Sequence, residues 1–290
     1  MPPNLRERLG RVVFERVAGS EGPQHRDRIH LTPGERWFPP DRPIRQVHAD
    51  SSMFVGGLRA LLLQSLHPLA MAGVAGHSDY RGDPWGRLQR TSYFLAVTTF
   101  GLAEDAEHAV ARVRGIHRRV QGVAPDGRRY RAADPHLLSW VHLAEVDSFL
   151  RTHQRYGSHP LDAAGQDGYV ADTAVVARKL GVLDPPETVA ELAEQLAAYR
   201  PELAGTPEAR AAARFLLVRP PLPVVARPPY AVLGSAAVAS LPAWTRWPLR
   251  LPYLPVAEAT VVRAAGGALV RGLRWVTTAP PSPTIEEAAG

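Results

Sequence analysis

The feature that most constrains the fold of this chain is a repeated local signal for starting helices. Aspartate followed by proline occurs at Asp83-Pro84 and again at Asp134-Pro135. The aspartate can cap the free N–H groups of a first turn, and proline needs no hydrogen bond at the first helical position. The first pair predicts a helix that ends at a left-handed Gly101. The second pair precedes the helical segment HLLSWVHLAEVDSFLRTH.

The other segments follow the same helical period. In AEDAEHAVARVRGIHRRVQG, apolar residues recur at positions 110, 113, 116 and 120, and GYVADTAVVARKLGV and TVAELAEQLAAYR are amphipathic as well. Ser51 or Ser52 is expected to cap a helix through about His67, with Pro68 in the first turn of the next helix. Only GRRYRAAD suggests strands, as a small hairpin arm. We therefore predict an all-α fold with a single globular multi-helix domain.

The proline content rises beyond residue 200, where 14 of the 28 prolines fall in the last 90 residues. The segments RPPLPVVARPPY and LPAWTRWPLRLPYLP cannot form long helices, because proline lacks an N–H group and clashes with the preceding turn. We expect rigid connectors packed over the helical core, followed by one more helix near residues 256–276. The predicted organisation is an N-terminal helical extension (1–30), a main domain (31–278) and a disordered tail (279–290).

Composition and motifs exclude several classes of function. The chain contains no cysteine, which rules out disulfides, thiolate ligands, iron–sulfur clusters and cysteine nucleophiles. The nucleotide-loop patterns GxGxxG and GxxxxGK, the GxSxG elbow and the HExxH metal motif are also absent. The net charge is +6, but the arginines at positions 112, 114, 118 and 119 are expected to form a solvated helix face. We therefore expect no nucleic-acid partner.

No targeting or membrane-spanning segment is predicted. The first 30 residues alternate charged and apolar side chains and lack the apolar core of about 7 to 15 residues that a signal peptide needs. No window reaches the roughly 20 apolar residues of a spanning helix, since Gln64, His67 and Pro68 interrupt the best candidate. We therefore expect a cytoplasmic protein without a transmembrane segment.

Three polar side chains, Gln64, His67 and His77, interrupt the most apolar run of the chain, LLLQSLHPLAMAGVAGH. Because Pro68 leaves backbone groups of the broken helix without partners, we expect these side chains to cap or tie its ends. Direct catalysis is the alternative role.

Two histidines lie on apolar helix faces. His117 shares a stripe with the valines at positions 110, 113 and 120, so its ring is expected to face the core. His142 shares a face with Leu138, Glu145 and Phe149 and is the second candidate. Each ring is either a buried imidazole that a carbonyl or carboxylate satisfies or a metal ligand, and spacing alone does not choose between these roles.

Polar residues also occupy one stripe of the helix that begins at Asp83-Pro84. Arg87, Thr91, Phe94 and Thr98 fall at i, i+4, i+7 and i+11, with Arg90 beside them. Polar groups on an inward face need partners. A buried salt bridge or a bound anion or oxygen-containing ligand would each supply one.

Four stretches together carry a resemblance to a known family: GLRALLLQSLHPLAMAGVAGHSDYRGDPWGRLQRTSYFLAVTTFG, VRGIHRRVQG, YRAADPHLLSWVHLAEVDS and LPAWTRWPLRLP. They resemble the family that unites the fungal oxygenase MpaB with the bacterial latex-clearing protein, a rubber oxygenase. The resemblance covers most of residues 35–255. It implies helices packed in a globin-like manner around a b-type haem that one proximal histidine holds. It also implies oxidative chemistry on hydrophobic, often isoprenoid, substrates.

The resemblance implies roles for individual residues. The family pattern R-x-x-H matches Arg114 and His117, which makes His117 the proximal iron ligand, with His142 as the alternative. The distal pattern R-x-x-K-T matches Arg87, Arg90 and Thr91, which become the catalytic candidates, and Arg87 and Arg114 also suit haem propionates. Here an arginine replaces the lysine. A guanidinium is effectively always protonated, so it is not expected to coordinate iron.

The function implied is a haem b-dependent oxygenase that uses dioxygen or peroxide on a hydrophobic, isoprenoid-like small molecule, with residues 31–278 as the catalytic domain. One alternative keeps the haem without oxygenation, as a haem-binding sensor or a peroxidase-like protein. Another is a non-haem iron or di-iron helical enzyme, with Asp105-x-x-His108 and His142-x-x-Glu145 as ligands at helical spacing.

Overall fold

A computed structural model describes residues 4–78 and 81–278 of the chain, and the predicted disordered tail lies outside these residues. Nearly all the regular structure within them is helical, which confirms the predicted all-α class. In chain order the helices are α1 Leu5–Ala18, α2 Gly22–Leu31, α3 Pro43–Ala49, α4 Met53–Gln64, α5 Pro68–His77, α6 Pro84–Phe100, α7 Ala103–Arg119, α8 Pro135–Tyr156, α9 Ala163–Leu180, α10 Val189–Ala198, α11 Pro207–Val218, α12 Arg227–Ser240, α13 Arg246–Leu249, α14 Pro255–Ala257 and α15 Arg263–Thr277.

Short elements connect these helices. The predicted hairpin arm is present as an antiparallel pair, β1 Gln121–Val123 and β2 Arg129–Arg131, with Gly122 opposite Tyr130. Turns of 3₁₀-helix lie at Arg200–Glu202, Val224–Ala226 and Ala243–Thr245. A π-helical segment, Glu258–Val262, joins α14 to α15. The helix expected near residues 256–276 is thus confirmed, with a widened turn near its start.

The two Asp-Pro signals act as predicted. The Asp83 side chain accepts a hydrogen bond from the Gly86 N–H at 2.9 Å, and Asp134 accepts one from the His136 N–H at 2.9 Å. The expected left-handed stop at Gly101 is wrong, because this glycine has φ −75° and ψ 177°. A Cβ atom there would lie 2.6 Å from the Val97 carbonyl oxygen, so a close backbone approach accounts for the glycine.

Helix α8 lies at the centre and packs against α4 and α9. Trp140 is fully buried on it and donates from its indole Nε1 to the Gln64 carbonyl at 3.1 Å. The same interface contains a buried ion pair, in which Arg59 donates to Asp147 at 2.6 Å and to the Ser148 hydroxyl at 2.6 Å. Arg59 and Asp147 are 2% and 8% exposed, so the pair replaces hydrophobic packing between the two helices.

Much of the proline-rich C-terminal third is helical, and these helices pack over the core. Pro228 and Pro229 lie in the first turn of α12, where proline costs no hydrogen bond, and α12 then packs against α4 and α15. The expectation of a rigid connector is therefore wrong for residues 227–230, which form the first turn of α12. No single described helix is long and apolar enough to cross a membrane. Two pairs of consecutive helices reach that length and apolar composition only when the pair is counted as one span. The axes of α4 and α5 differ by 108°, and those of Val224–Ser240 and Ala243–Leu249 differ by 113°.

Candidate functional site

One stripe of α4 is left partly open although most of this helix is buried. A Cβ atom placed on Gly57 would meet no neighbour within 4 Å, and Leu61, one turn further, is 36% exposed. Gln64 continues the stripe at the end of the helix. This face of α4 therefore offers apolar surface that ends in an amide.

The Gln64 amide hydrogen-bonds to a carboxyl group in the protein interior. Gln64 Nε2 donates to Glu145 Oε1 of α8 at 3.2 Å. Burial raises the pKa of Glu145, while the Gln64 hydrogen bond and the charge of Arg87 act in the opposite direction. The structure thus brings together Gln64 of α4, Glu145 of α8 and Arg87 of α6. The sequence identified Glu145 as a neighbour of His142 on α8 and as a ligand in the non-haem alternative, but not as a partner of Gln64 or Arg87.

The polar stripe of α6 divides along its length. Arg87 Nη1 donates to the Ser78 hydroxyl at 2.6 Å, which ties α6 to the residue that follows α5. Arg90 pairs with Asp83 at 3.1 Å on the exposed side of the first turns, and Thr91 is exposed. Thr98 is buried, but its hydroxyl donates to the Phe94 carbonyl of its own helix at 2.7 Å. Of the three catalytic candidates, Arg87 is the one whose positive charge acts on the buried Glu145 carboxyl.

His117 lies in the last turn of α7, which packs against α6. Its Nδ1 atom is buried without a hydrogen-bond partner, and burial lowers the pKa of the ring. The preceding residue, Ile116, is 42% exposed, and Arg114 is exposed as well. The site therefore contains a neutral, partly buried imidazole at the edge of the core.

His142 lies deeper, on the central helix α8. Its Nε2 atom is buried without a hydrogen-bond partner, and burial lowers the pKa of the ring to about 4. Glu145, the carboxylate expected to satisfy it, accepts a hydrogen bond from Gln64 instead. Both candidate ligands thus keep an unpaired ring nitrogen, and hydrogen bonding does not distinguish them.

The polar residues in the broken apolar run do not act as expected. The His67 side chain makes no capping hydrogen bond, and the Gln64 side chain bonds to Glu145. The His77 ring packs edge-on against Tyr130 of the hairpin arm, with the ring centroids 6.1 Å apart. The capping role is therefore wrong for Gln64 and His67, because Gln64 bonds to a carboxyl group of another helix and neither ring nitrogen of His67 makes a hydrogen bond.

A further imidazole, His48 of α3, connects α3 to α6 and α9 through hydrogen bonds. Its Nδ1 lies 2.8 Å from the Thr99 hydroxyl of α6, and its Nε2 lies 3.3 Å from the Tyr169 hydroxyl of α9. Although part of the residue reaches the surface, desolvation lowers the pKa of His48 to about 3. Burial also raises the pKa of Tyr169 well above its usual value, helped by the negative charge of Glu145.

The depressed pKa of His48 predicts loss of stability in mild acid. The unfolded chain binds a proton at this ring near pH 6.5, whereas the folded protein does so only near pH 3. Between these values acid favours the unfolded state, and the free energy of unfolding falls by about 1.4 kcal/mol per pH unit for this one proton. Denaturant titrations from pH 7 to pH 4 should show a shallower pH dependence for His48→Gln than for the wild type. Parallel curves would mean that His48 titrates normally.

Taken together, the described residues form an all-helical protein with unpaired imidazole nitrogens, a buried carboxyl and an arginine beside partly open apolar faces. The model for the catalytic domain of the ER-bound oxygenase mpaB/B'/rubber oxygenase family matches residues 45–276. The chain belongs to this oxygenase family, which confirms the resemblance found in its sequence.

Two curated relatives share part of the chain. They are the uncharacterized protein Rv2237 of Mycobacterium tuberculosis and the uncharacterized protein Mb2261 of Mycobacterium bovis, each 32% identical over 111 residues. These matches cover 37% of this chain and 43% of each relative. No solved structure matches this chain.

Proposed function

We propose that this chain is a haem b-dependent oxygenase that oxidises a hydrophobic small molecule, with His117 as the residue that would hold the iron. Membership of an oxygenase family supports the reaction class. The observation that carries the haem proposal is the partly buried imidazole of His117, whose Nδ1 atom has no partner in the protein. The R-x-x-H pattern of Arg114 and His117 points to the same ring.

Exposed apolar side chains near the site residues along the chain suit a large apolar cofactor. They are Leu61, one turn before Gln64 on α4, Leu88, next to Arg87 on α6, and Ile116, next to His117 on α7. Ligand sites are lined mainly by such side chains, with a few polar groups that set orientation. Arg87 and Arg114 suit the propionate carboxylates, because a guanidinium can bind a carboxylate through two parallel hydrogen bonds.

When bound, a haem held by His117 would supply the iron chemistry that uses dioxygen or peroxide. The side chains of this chain bind and orient the reactants around it. Arg87 is held by Ser78, and its positive charge faces the Glu145 carboxyl. Because burial raises the pKa of Glu145, this carboxyl keeps a proton to higher pH than an exposed one, and Gln64 orients it at Oε1.

The remaining catalytic candidates lie further out on α6. The Thr91 hydroxyl is exposed on the same stripe as Arg87, and the Arg90 guanidinium is exposed beside it. We propose that these two groups contact the oxidant or the polar end of the substrate, while the apolar faces of α4 and α6 bind its hydrophobic part. An isoprenoid-like substrate fits these faces.

One observation favours a second candidate, a non-haem iron enzyme. His142 and Glu145 share a face of α8, and His142 Nε2 is unpaired. The other ligands that such a site would use are engaged or distant from the core. Asp105 accepts hydrogen bonds from Arg28 at 2.9 and 3.2 Å, and His108 is exposed. In residues 4–78 and 81–278, His142 and Glu145 belong to no group of three metal-ligand side chains.

An absorption spectrum of the purified full-length protein tests the proposal. Protein produced with an adequate haem supply should show a Soret band and about one haem per chain. Labelled oxygen from dioxygen should then appear in an added isoprenoid substrate. Haem without oxygen transfer across a panel of hydrophobic substrates would favour a sensor or a peroxidase-like protein. A colourless, folded protein with stoichiometric iron would overturn the haem proposal.

A further inference from the structure

A second cluster of metal-binding side chains lies outside the proposed haem site. His67 immediately precedes α5, His136 is the second residue of α8, and Glu202 ends the 3₁₀ turn Arg200–Glu202. Each side chain offers one ligand atom, and the three atoms all lie within 4.8 Å of one another. Residues far apart in the chain thus converge on one small volume.

His67 is buried without a satisfied ring nitrogen. The residue is 1% exposed, and neither Nδ1 nor Nε2 has a hydrogen-bond partner. The nearest carboxylate oxygen, Oε2 of Glu202, lies 3.5 Å from His67 Nε2, which is too long for a well-formed hydrogen bond. A buried imidazole with both nitrogens unpaired is costly, so a partner that the protein itself does not supply is expected here.

The hydrogen bonds of His136 indicate what kind of partner His67 lacks. The Tyr199 hydroxyl donates to the His136 carbonyl oxygen at 2.8 Å and lies 3.2 Å from His136 Nδ1. Since its proton is committed to the carbonyl, the hydroxyl oxygen accepts from Nδ1–H. In the neutral ring this leaves a lone pair on Nε2, which lies 2.9 Å from both carboxylate oxygens of Glu202. Two acceptors that face each other at this distance need either a second proton on the ring or a metal ion between them.

The surroundings favour a bound cation. The Tyr199 ring stacks on His136 with the centroids 4.6 Å apart, so the imidazole is held in place by packing as well as by hydrogen bonding. Arg128 is the positive side chain whose charge reaches this cluster, and it is paired with Asp126 at 2.7 Å. Two imidazoles and one carboxylate suit zinc and related transition metals, whereas calcium and magnesium prefer oxygen ligands alone.

We propose that His67, His136 and Glu202 form a binding site for a zinc-class divalent cation, which fastens the start of α5 to α8 and to the turn before α11. Three protein ligands leave a further position for water, since His136 and Glu202 are 51% and 38% exposed. The site is independent of the haem proposal, because its residues belong to none of the haem candidates.

Zinc titration of untagged, full-length, chelator-treated protein tests this site. Wild-type protein should bind one zinc ion per chain and gain thermal stability. Glu202→Gln and His136→Ala change partly exposed side chains, so both variants should fold, and zinc affinity should fall about 100-fold or more. His25→Ala is the matched control, because His25 also faces a carboxylate, Glu21 at 3.8 Å, but at the surface. It should bind zinc as the wild type does.

Two outcomes would overturn the zinc site. In one, wild-type protein binds no zinc in the titration, which would make the cluster a hydrogen-bonded network in which a protonated His136 pairs with Glu202. In the other, the two ligand variants bind zinc as tightly as the His25→Ala control. Neither result changes the Soret band, so failure here is separable from failure of the haem proposal.

Discussion

Replacement of His117 with alanine should remove most of the bound haem or abolish its imidazole-ligated spectrum, whereas His142→Ala should keep the haem. The side chains on the His117 stripe of α7 are valines, which offer its ring no hydrogen bond, so an iron atom is a fitting partner. The R-x-x-H pattern with Arg114 also points to His117. His142 lies on the central helix α8 beside Glu145, and its loss should alter stability or activity instead.

The measurement is haem content per chain, together with the absorption spectrum before and after free imidazole is added. Imidazole is included because an emptied axial position can recruit water or a neighbouring side chain. His108→Ala is the matched control, since it removes an exposed imidazole from the same helix and should leave haem content unchanged. If His142→Ala is the haem-free variant and His117→Ala stays fully loaded, the ligand lies on α8 and the assignment is wrong.

Replacement of Asp147 with asparagine should destabilise the protein strongly. The Arg59 guanidinium is 2% exposed, and burial lowers its pKa against the opposing effect of Asp147. Removing the carboxylate charge leaves a buried cation without a counter-charge, which costs about 3–5 kcal/mol of unfolding free energy. Denaturant unfolding followed by circular dichroism measures the loss.

The same carboxylate provides its own control. Arg151 Nε donates to the other oxygen of Asp147 at 3.2 Å, but the Arg151 side chain is 57% exposed. Water screens that pair, so Arg151→Ala should cost less than about 1 kcal/mol. Replacing both buried partners, as Arg59→Met with Asp147→Leu, should recover much of the loss that Asp147→Asn causes. Equal losses of unfolding free energy for Asp147→Asn and Arg151→Ala would contradict the larger contribution predicted for the buried ion pair.

The sequence predicted parts of the candidate site and missed others for a common reason. It identified His117, His142 and Arg87 from helical faces and from the family motifs, and all three lie on helices as expected. It did not place the carboxyl beside Arg87, because Glu145 follows in the chain only after the hairpin arm and on another helix. The polar position of Glu145 on a core-facing stripe was the available signal.

What the sequence by itself determined is local. Helix starts at Asp83-Pro84 and Asp134-Pro135 depend on hydrogen bonds within three residues, and the hairpin arm at residues 121–131 depends on neighbours along the chain. The family motifs act in the same way, because residues at fixed spacing on one helix share a face. The class of fold and the family membership could therefore be predicted without coordinates.

Only the tertiary structure decided which side chains meet. Gln64 and Glu145 are 81 positions apart, and His67, His136 and Glu202 come from three separate segments. Such contacts depend on how α4, α5 and α8 pack, and helical periodicity indicates which face is buried but not which residue of another helix lies opposite. The extended Gly101 has the same origin, because its backbone conformation follows from the path of the chain into α7 and not from glycine alone.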